Sequence, residues 1–150
     1  MHALPIDDHY EEFRNALENG HVVVTADTGS GKSTRLPVWA SERSPTLVVE
    51  PRRVACTALA GYLADQQGSE TGDRVGYAIR FDSRYGPDTP LVFATPGMAL
   101  RWLGQGELER FGTIILDEFH ERRWDTDLLL ALLHRVGSHR RVRLADLMEY

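Results

Sequence analysis

Lysine is almost absent from this 150-residue sequence: of 17 basic residues, Lys32 is the one lysine and the other sixteen are arginines. A general preference for arginine accounts for the sixteen. It leaves position 32 as the place where a compact ammonium on a flexible stem is wanted, which a planar guanidinium does not replace. Cysteine is as scarce. Cys56 has no partner for an internal disulfide, which fits a reducing compartment and excludes a disulfide-stapled scaffold. A small buried residue in a helix is expected there rather than a nucleophile. Long apolar runs are also missing: the longest, Leu128 to Leu133, is too short to span a bilayer. No basic-then-apolar leader opens the sequence. A cytoplasmic protein with no membrane partner is expected. Finally, there is no excess of positive charge. A net charge of −5 excludes a globally basic DNA-coating protein but leaves room for a local arginine track on one face.

What is present suits one globular domain, with 42% hydrophobic residues and no low-complexity tract or internal repeat. Residues 7–19 read as an amphipathic helix with Tyr10, Phe13 and Leu17 on one face, stopped by Gly20. Apolar, β-branched runs at residues 21–25, 46–49, 91–95 and 113–116 read as buried parallel strands. Residues 72–79 give a weaker strand, followed by a polar loop. Between these runs lie helical stretches: one from residue 31 or 32 toward Trp39 with Pro37 inside it, one to about Gln66 with Val54, Ala58 and Leu59 at helical spacing, one over 97–103 and one over 125–136. Strands alternating with helices predict an α/β fold, a mostly parallel sheet flanked by helices, with ligands at the carboxyl ends of the strands.

The segment Ala26-Asp27-Thr28-Gly29-Ser30-Gly31-Lys32-Ser33-Thr34 follows the first of these strands and opens a helix. Strand, glycine-rich loop and helix in that order form a phosphate-binding P-loop. Gly29 and Gly31 free the backbone to converge its N–H groups on one anion, and the helix N-terminus adds partial positive charge. Residues Thr28 to Thr34 are the predicted cradle. Lys32 is placed to bridge the β- and γ-phosphates and Ser33 to offer its hydroxyl to Mg²⁺. Ala26 stands where the pattern's first glycine would be.

Asp117-Glu118-Phe119-His120 directly follows the strand at 113–116. Asp117 there can hold Mg²⁺ opposite Ser33, and Glu118 can orient and deprotonate a water attacking the γ-phosphate, so the pair predicts hydrolysis. A zinc-protease reading of His120-Glu121 fails, because Trp124 stands at the second histidine position.

The string Ile115-Leu116-Asp117-Glu118-Phe119-His120-Glu121-Arg122, followed by Thr126-Asp127 and leucines, resembles motif II of DEAH-type superfamily 2 RNA helicases. Pro51-Arg52-Arg53-Val54-Ala55 is similar to their motif Ia, and Ala94-Thr95-Pro96-Gly97-Met98-Ala99-Leu100-Arg101 to motif Ib. Val75-Gly76-Tyr77-Ala78-Ile79-Arg80-Phe81 is similar to the family's V-G-Y-x-I-R-F stretch. Asp-Glu-Phe-His, with Arg35-Leu36-Pro37, points to the HrpB-like subgroup. The resemblance implies a RecA-like, ATP-binding first domain over residues 1–136. It also implies that Glu118, Lys32 and His120 are catalytic, with His120 coupling the nucleotide state to a second domain. Single-stranded RNA would be held through its backbone by Arg52, Arg53, Thr95 and Arg101. Arg80 and Phe81 are expected to serve the fold. Pro96 replaces the aspartate of the family's motif Ib.

A helicase of that kind continues with a Ser-Ala-Thr strand lying between the P-loop strand and the Asp-Glu strand, and then with a second RecA-like domain. Neither is recognisable here. Residues 137–150 are expected to be a divergent or truncated tail, leaving the fold incomplete at that end; Val142 to Leu147 could fill the gap only in degenerate form, because the three arginines nearby make a poor central strand. The expected activity is Mg-ATP hydrolysis coupled to RNA remodelling, impaired in a chain of this length. The alternative is a non-catalytic nucleotide-binding or interaction module descended from a helicase.

Overall fold

The computed structural model describes residues 4–20, 22–26, 31–117, 124–137 and 143–149. After a 3₁₀ turn at Pro5–His9, the elements run α1 (Tyr10–Asn19), β1 (Val22–Ala26), α2 (Lys32–Ser41), β2 (Thr46–Val49), α3 (Arg53–Gln66), β3 (Val75–Ile79) and β4 (Asp82–Arg84). Then come β5 (Leu91–Ala94), α4 (Pro96–Gln105), a second 3₁₀ turn at Glu107–Arg110, β6 (Thr113–Asp117), α5 (Trp124–Gly137) and β7 (Arg143–Glu149). The strands form one sheet in the order β1-β7-β6-β2-β5-β3-β4, parallel throughout except that β4 runs antiparallel to β3.

Every residue of β2, β5 and β6 is buried, the pattern of parallel strands covered on both faces. One face packs on α1, α2 and α3 through Phe13, Leu17, Leu36, Trp39, Ala60 and Leu63. The other packs on α4 and α5 through Ala99, Trp102, Leu129 and Leu133. Tyr10 meets Trp39 edge-on, with centroids 5.1 Å apart, and so fastens α1 to α2. Cys56 is fully buried, and burial pushes its thiol up to about 12, so it stays protonated and inert as the sequence suggests.

Three expectations are corrected. In α3 the buried line is Cys56, Ala60, Leu63 and Ala64, whereas Val54 is 79% exposed and Ala58 faces outward. Both lines have helical spacing, and the sheet takes the one with Leu63. The polar stretch after β3 is not all loop: residues 82–84 turn back as β4, drawn so close that a Cβ on Gly76 would lie 2.2 Å from the Arg84 carbonyl oxygen. Last, the vacancy expected between the P-loop strand and the Asp-Glu strand is filled. β7 pairs with β1 from Val22↔Ala145 to Ala26↔Glu149, and with β6 from Thr113↔Arg143 to Asp117↔Leu147. Residues 143–149 thus belong to the sheet. Arg143 opens the strand rather than sitting in its middle, and the ladder needs only backbone groups, which two flanking strands would otherwise leave unsatisfied.

If 143–149 is a central strand, Ala145→Pro removes an amide from the ladder and leaves a buried carbonyl unmatched. It should lower stability to urea by about 1–3 kcal/mol. An unchanged midpoint would place this segment outside the sheet.

Candidate nucleotide site and the sheet edge beside it

The carboxyl ends of β1, β6, β2 and β5 share one edge of the sheet, because these strands are parallel through β7. Every motif named above therefore opens onto the same side. At that edge α2 begins from Gly31, whose φ of 96° is left-handed and whose carbonyl accepts from the amides of Thr34 (3.2 Å) and Arg35 (2.8 Å). A Cβ at this position would also lie 2.5 Å from Leu4 Cδ1. The left-handed φ is what calls for glycine here.

The first turn of α2 carries Lys32, 2% exposed, and Ser33. Ser33 Oγ donates to Asp117 Oδ2 at 2.9 Å, joining residues 84 positions apart. Asp117 is the last residue of β6 and is 1% exposed. A buried ammonium, a hydroxyl and a buried carboxylate at the start of a helix make a donor set suited to a magnesium-bound triphosphate. The oxygens suit the hard cation, and the ammonium and helix amides suit the phosphates. Among the described residues no cluster of three or more His, Cys, Asp or Glu could hold a metal by itself. Thr34 donates its hydroxyl to the Gly31 carbonyl at 3.2 Å. Thr28, Gly29 and Ser30 of the loop, with Glu118 and His120 after β6, lie outside the described residues.

Asp7 holds this corner in place. Its Oδ1 accepts from Arg35 Nε at 3.0 Å and its Oδ2 from the Leu4 amide at 2.8 Å. The N-terminal turn is thereby tied to the helix that starts the P-loop side of the site.

Further along the edge, Arg52 and Arg53 are exposed at the amino end of α3. Thr95 precedes α4, and its carbonyl accepts from the Ala99 amide at 3.0 Å. Pro96 occupies the first turn of α4, where proline's fixed φ and missing amide are favourable, so a structural reason exists for its departure from the family pattern. Arg101 is exposed but lies about 9 Å farther along that helix than Thr95. The structure thus brings Lys32, Ser33 and Asp117 together, sets Arg52, Arg53 and Thr95 on the neighbouring stretch of edge, and leaves Arg101 apart.

Phe81 does not serve the core. It is 92% exposed at the turn between β3 and β4 and, among the described residues, is the one non-glycine with positive φ, 68°. The Arg80 guanidinium lies 4.8 Å from its ring centroid, and Arg53 Nη2 donates to the Arg80 carbonyl at 3.3 Å. A bulky side chain in the left-handed region is strained. Its V-G-Y-x-I-R-F context marked the position in the sequence; nothing in the pattern of apolar residues distinguished an outward phenylalanine from a buried one.

A helix that starts after a glycine-rich loop, and an aspartate at the end of a central parallel strand, form the pattern of P-loop nucleotide-binding proteins. Comparison with known proteins narrows this. The sequence model of the DEAD/DEAH box helicase family matches residues 7–142, and the chain belongs to that family. It is 38% identical over 140 residues to the probable ATP-dependent RNA helicase DHR2 of Saccharomyces cerevisiae, covering 87% of this chain and 19% of that protein. The crystal structure of the Escherichia coli DEAH/RHA helicase HrpB superposes with a TM-score of 0.91 and 35% identity, over 99% of this chain and 20% of that one. A second, of the E. coli DExH-box NTPase HrpB, gives 0.93 and 36%, over 100% and 20%. The chain has the fold of a RecA-like helicase domain and spans about a fifth of the length of these relatives.

Replacing Phe81 should expose the strain at its backbone. Phe81→Gly is expected to be more stable than Phe81→Ala by about 1 kcal/mol, the reverse of the usual order, since both lose the ring and only alanine keeps the left-handed penalty. Equal stabilities would show that the turn is unstrained.

Proposed function

We propose that this chain is the ATP-binding domain of a DEAH-type RNA helicase, binding Mg-ATP at the ends of β1 and β6 and RNA at the ends of β2 and β5. The observation that carries the reading is the 2.9 Å contact between Ser33 and Asp117, which unites the two motifs of an NTPase site. Residues 1–136 supply the nucleotide and RNA motifs, and residues 143–149 complete the sheet beneath them.

In this reading the backbone from Thr28 to Thr34 cradles the phosphates, and Lys32 offsets charge on the β- and γ-phosphoryl oxygens. Ser33 and Asp117 would hold Mg²⁺, which when bound neutralises charge that develops on the phosphate oxygens. Glu118 orients the attacking water and accepts its proton, and His120 passes the state of the site to a second domain. Arg52, Arg53 and Thr95 grip phosphates of a single strand without reading bases, with Arg101 as an outlying contact. Phe81, upright beside Arg53 and Arg80, offers a face on which a base can stack. The reading places the protein in the cytoplasm, in keeping with a lone, reduced cysteine.

Arginine fingers that stabilise the transition state, worth about 10³–10⁵ in rate, would come from a second domain. Assayed by itself, the 150-residue chain should bind Mg-ATP, turn it over slowly and leave RNA duplexes intact. A fluorescent ATP analogue titrated into wild type and Lys32→Ala tests the assignment. Removing the ammonium should weaken binding by at least about tenfold, the equivalent of 1.4 kcal/mol. Equal affinities would remove the nucleotide from this corner.

A further inference from the structure

A cavity of about 590 Å³ lies at the opposite edge of the sheet from the nucleotide corner. Its walls are the segments that lead into β5 and β6, at the amino ends of those strands and about 15 Å from their carboxyl ends. Three aromatic rings form its back. Tyr85 meets Trp102 edge-on with centroids 5.4 Å apart, and Trp102 stacks on Phe111 at 6.4 Å. Tyr85, 39% exposed, is the ring left open. Two opposite charges complete the lining. Glu107 and Arg110 are the first and last residues of the second 3₁₀ turn, and side chains three apart in such a turn eclipse, so both lie on one face. Among the described residues neither has an ion-pair partner. Arg110 lies over the Phe111 ring, 4.2 Å from its centroid, and makes two 3.1 Å bonds to the Thr89 carbonyl and one of 3.5 Å to that of Gly86. These occupy three of the five guanidinium donors and leave the charge without a bonded carboxylate. Burial lowers the pKa of Arg110 by more than nearby Tyr85 and Asp88 raise it. Glu107 is exposed just beyond Gly106, where the carbonyl end of α4 adds partial negative charge.

We propose that this cavity binds a free aromatic α-amino acid as its zwitterion, with the carboxylate at Arg110, the ammonium at Glu107 and the ring against Tyr85. The two unpaired charges on one face carry the inference. A plain anion would meet Glu107 and the carbonyl end of α4, and a plain cation would meet Arg110. A small ligand bearing both signs satisfies both. Its carboxylate takes the guanidinium donors that the Thr89 and Gly86 carbonyls leave, and supplies the missing counter-ion. Its ammonium gains from Glu107 and from the last carbonyls of α4. Its ring extends the series of aromatic contacts that begins at Phe111 and ends at the open Tyr85. The volume lies within the range of roughly 300–1,000 Å³ usual for small-molecule sites. No residue of this cavity belongs to the nucleotide corner, so the proposal stands whether or not ATP binds there.

Amide chemical shifts of the isotope-labelled chain, titrated with three probes, test this. The probes are L-phenylalanine, phenylpropanoate (which lacks the ammonium) and phenethylamine (which lacks the carboxylate). Phenylalanine should saturate shifts around Gly86, Gly106 and Phe111 and bind at least about tenfold more tightly than either analogue. Glu107→Gln should erase the preference over phenylpropanoate while the affinity for phenylpropanoate itself does not fall. Arg110 also braces the loop at 86–89, so its variants put the fold at risk. Glu107 is exposed and braces nothing, so its variant decides the matter. Absence of saturable shifts with millimolar phenylalanine overturns the proposal. So does equal binding of the three probes, which would make the cavity an unselective apolar cleft. A preference for phenylalanine that survives Glu107→Gln, or shifts confined to the nucleotide corner, overturns it as well.

Discussion

The hydrogen bond from the Ser33 hydroxyl to the Asp117 carboxylate ties the start of α2 to the end of β6, and the candidate site depends on it. Its existence demands that α2 start, and β6 end, at the same edge of the sheet. Parallel pairing of β1, β7 and β6 supplies that geometry, since parallel neighbours finish on the same side. A buried carboxylate and a buried ammonium carry a desolvation cost that partners must offset, and for Asp117 the Ser33 hydroxyl is one of them. In a domain that receives a metal–triphosphate, the same groups are ready-made partners.

Under the proposed function, distance along the edge also separates two tasks. The nucleotide corner belongs to β1 and β6, while the arginine-bearing stretch belongs to β2 and β5. β6 and β2 are direct neighbours, with register from Thr46↔Thr113 to Val49↔Leu116. Arg53 extends that reach to the β3–β4 turn by holding the Arg80 carbonyl beneath the outward Phe81. Under the proposed function, packed backbone joins the nucleotide corner to the arginine-bearing stretch.

Much of this was legible in the sequence for physical reasons. A run such as Thr113-Ile114-Ile115-Leu116 has no polar face and must be a central strand, and the acidic residue after it can only lie at its end. Gly31 before Lys32 announced a helix start that needs a left-handed residue. The parts that escaped are those in which local pattern is ambiguous. Val54 and Ala58 share helical spacing with the truly buried Cys56, Ala60 and Leu63, and periodicity names a stripe without saying which way it faces. Asp82 to Arg84 carries no apolar alternation, because β4 is exposed and is held by its backbone ladder and by the hydrogen bond that the Tyr77 hydroxyl donates to Asp82. Arginines around residue 142 disguised β7, although a strand's place in a ladder is decided by what its neighbours leave unpaired.

The central claim is that Ser33 and Asp117 face one magnesium-bound nucleotide, and calorimetric titration of ATP with and without Mg²⁺ tests it most directly. Wild-type protein should bind ATP more tightly when magnesium is present, and Asp117→Ala should lose that metal-dependent gain while still binding the metal-free nucleotide. If Asp117→Ala keeps the full magnesium-dependent gain, the carboxylate at the end of β6 is not facing the metal and the account of the site is wrong.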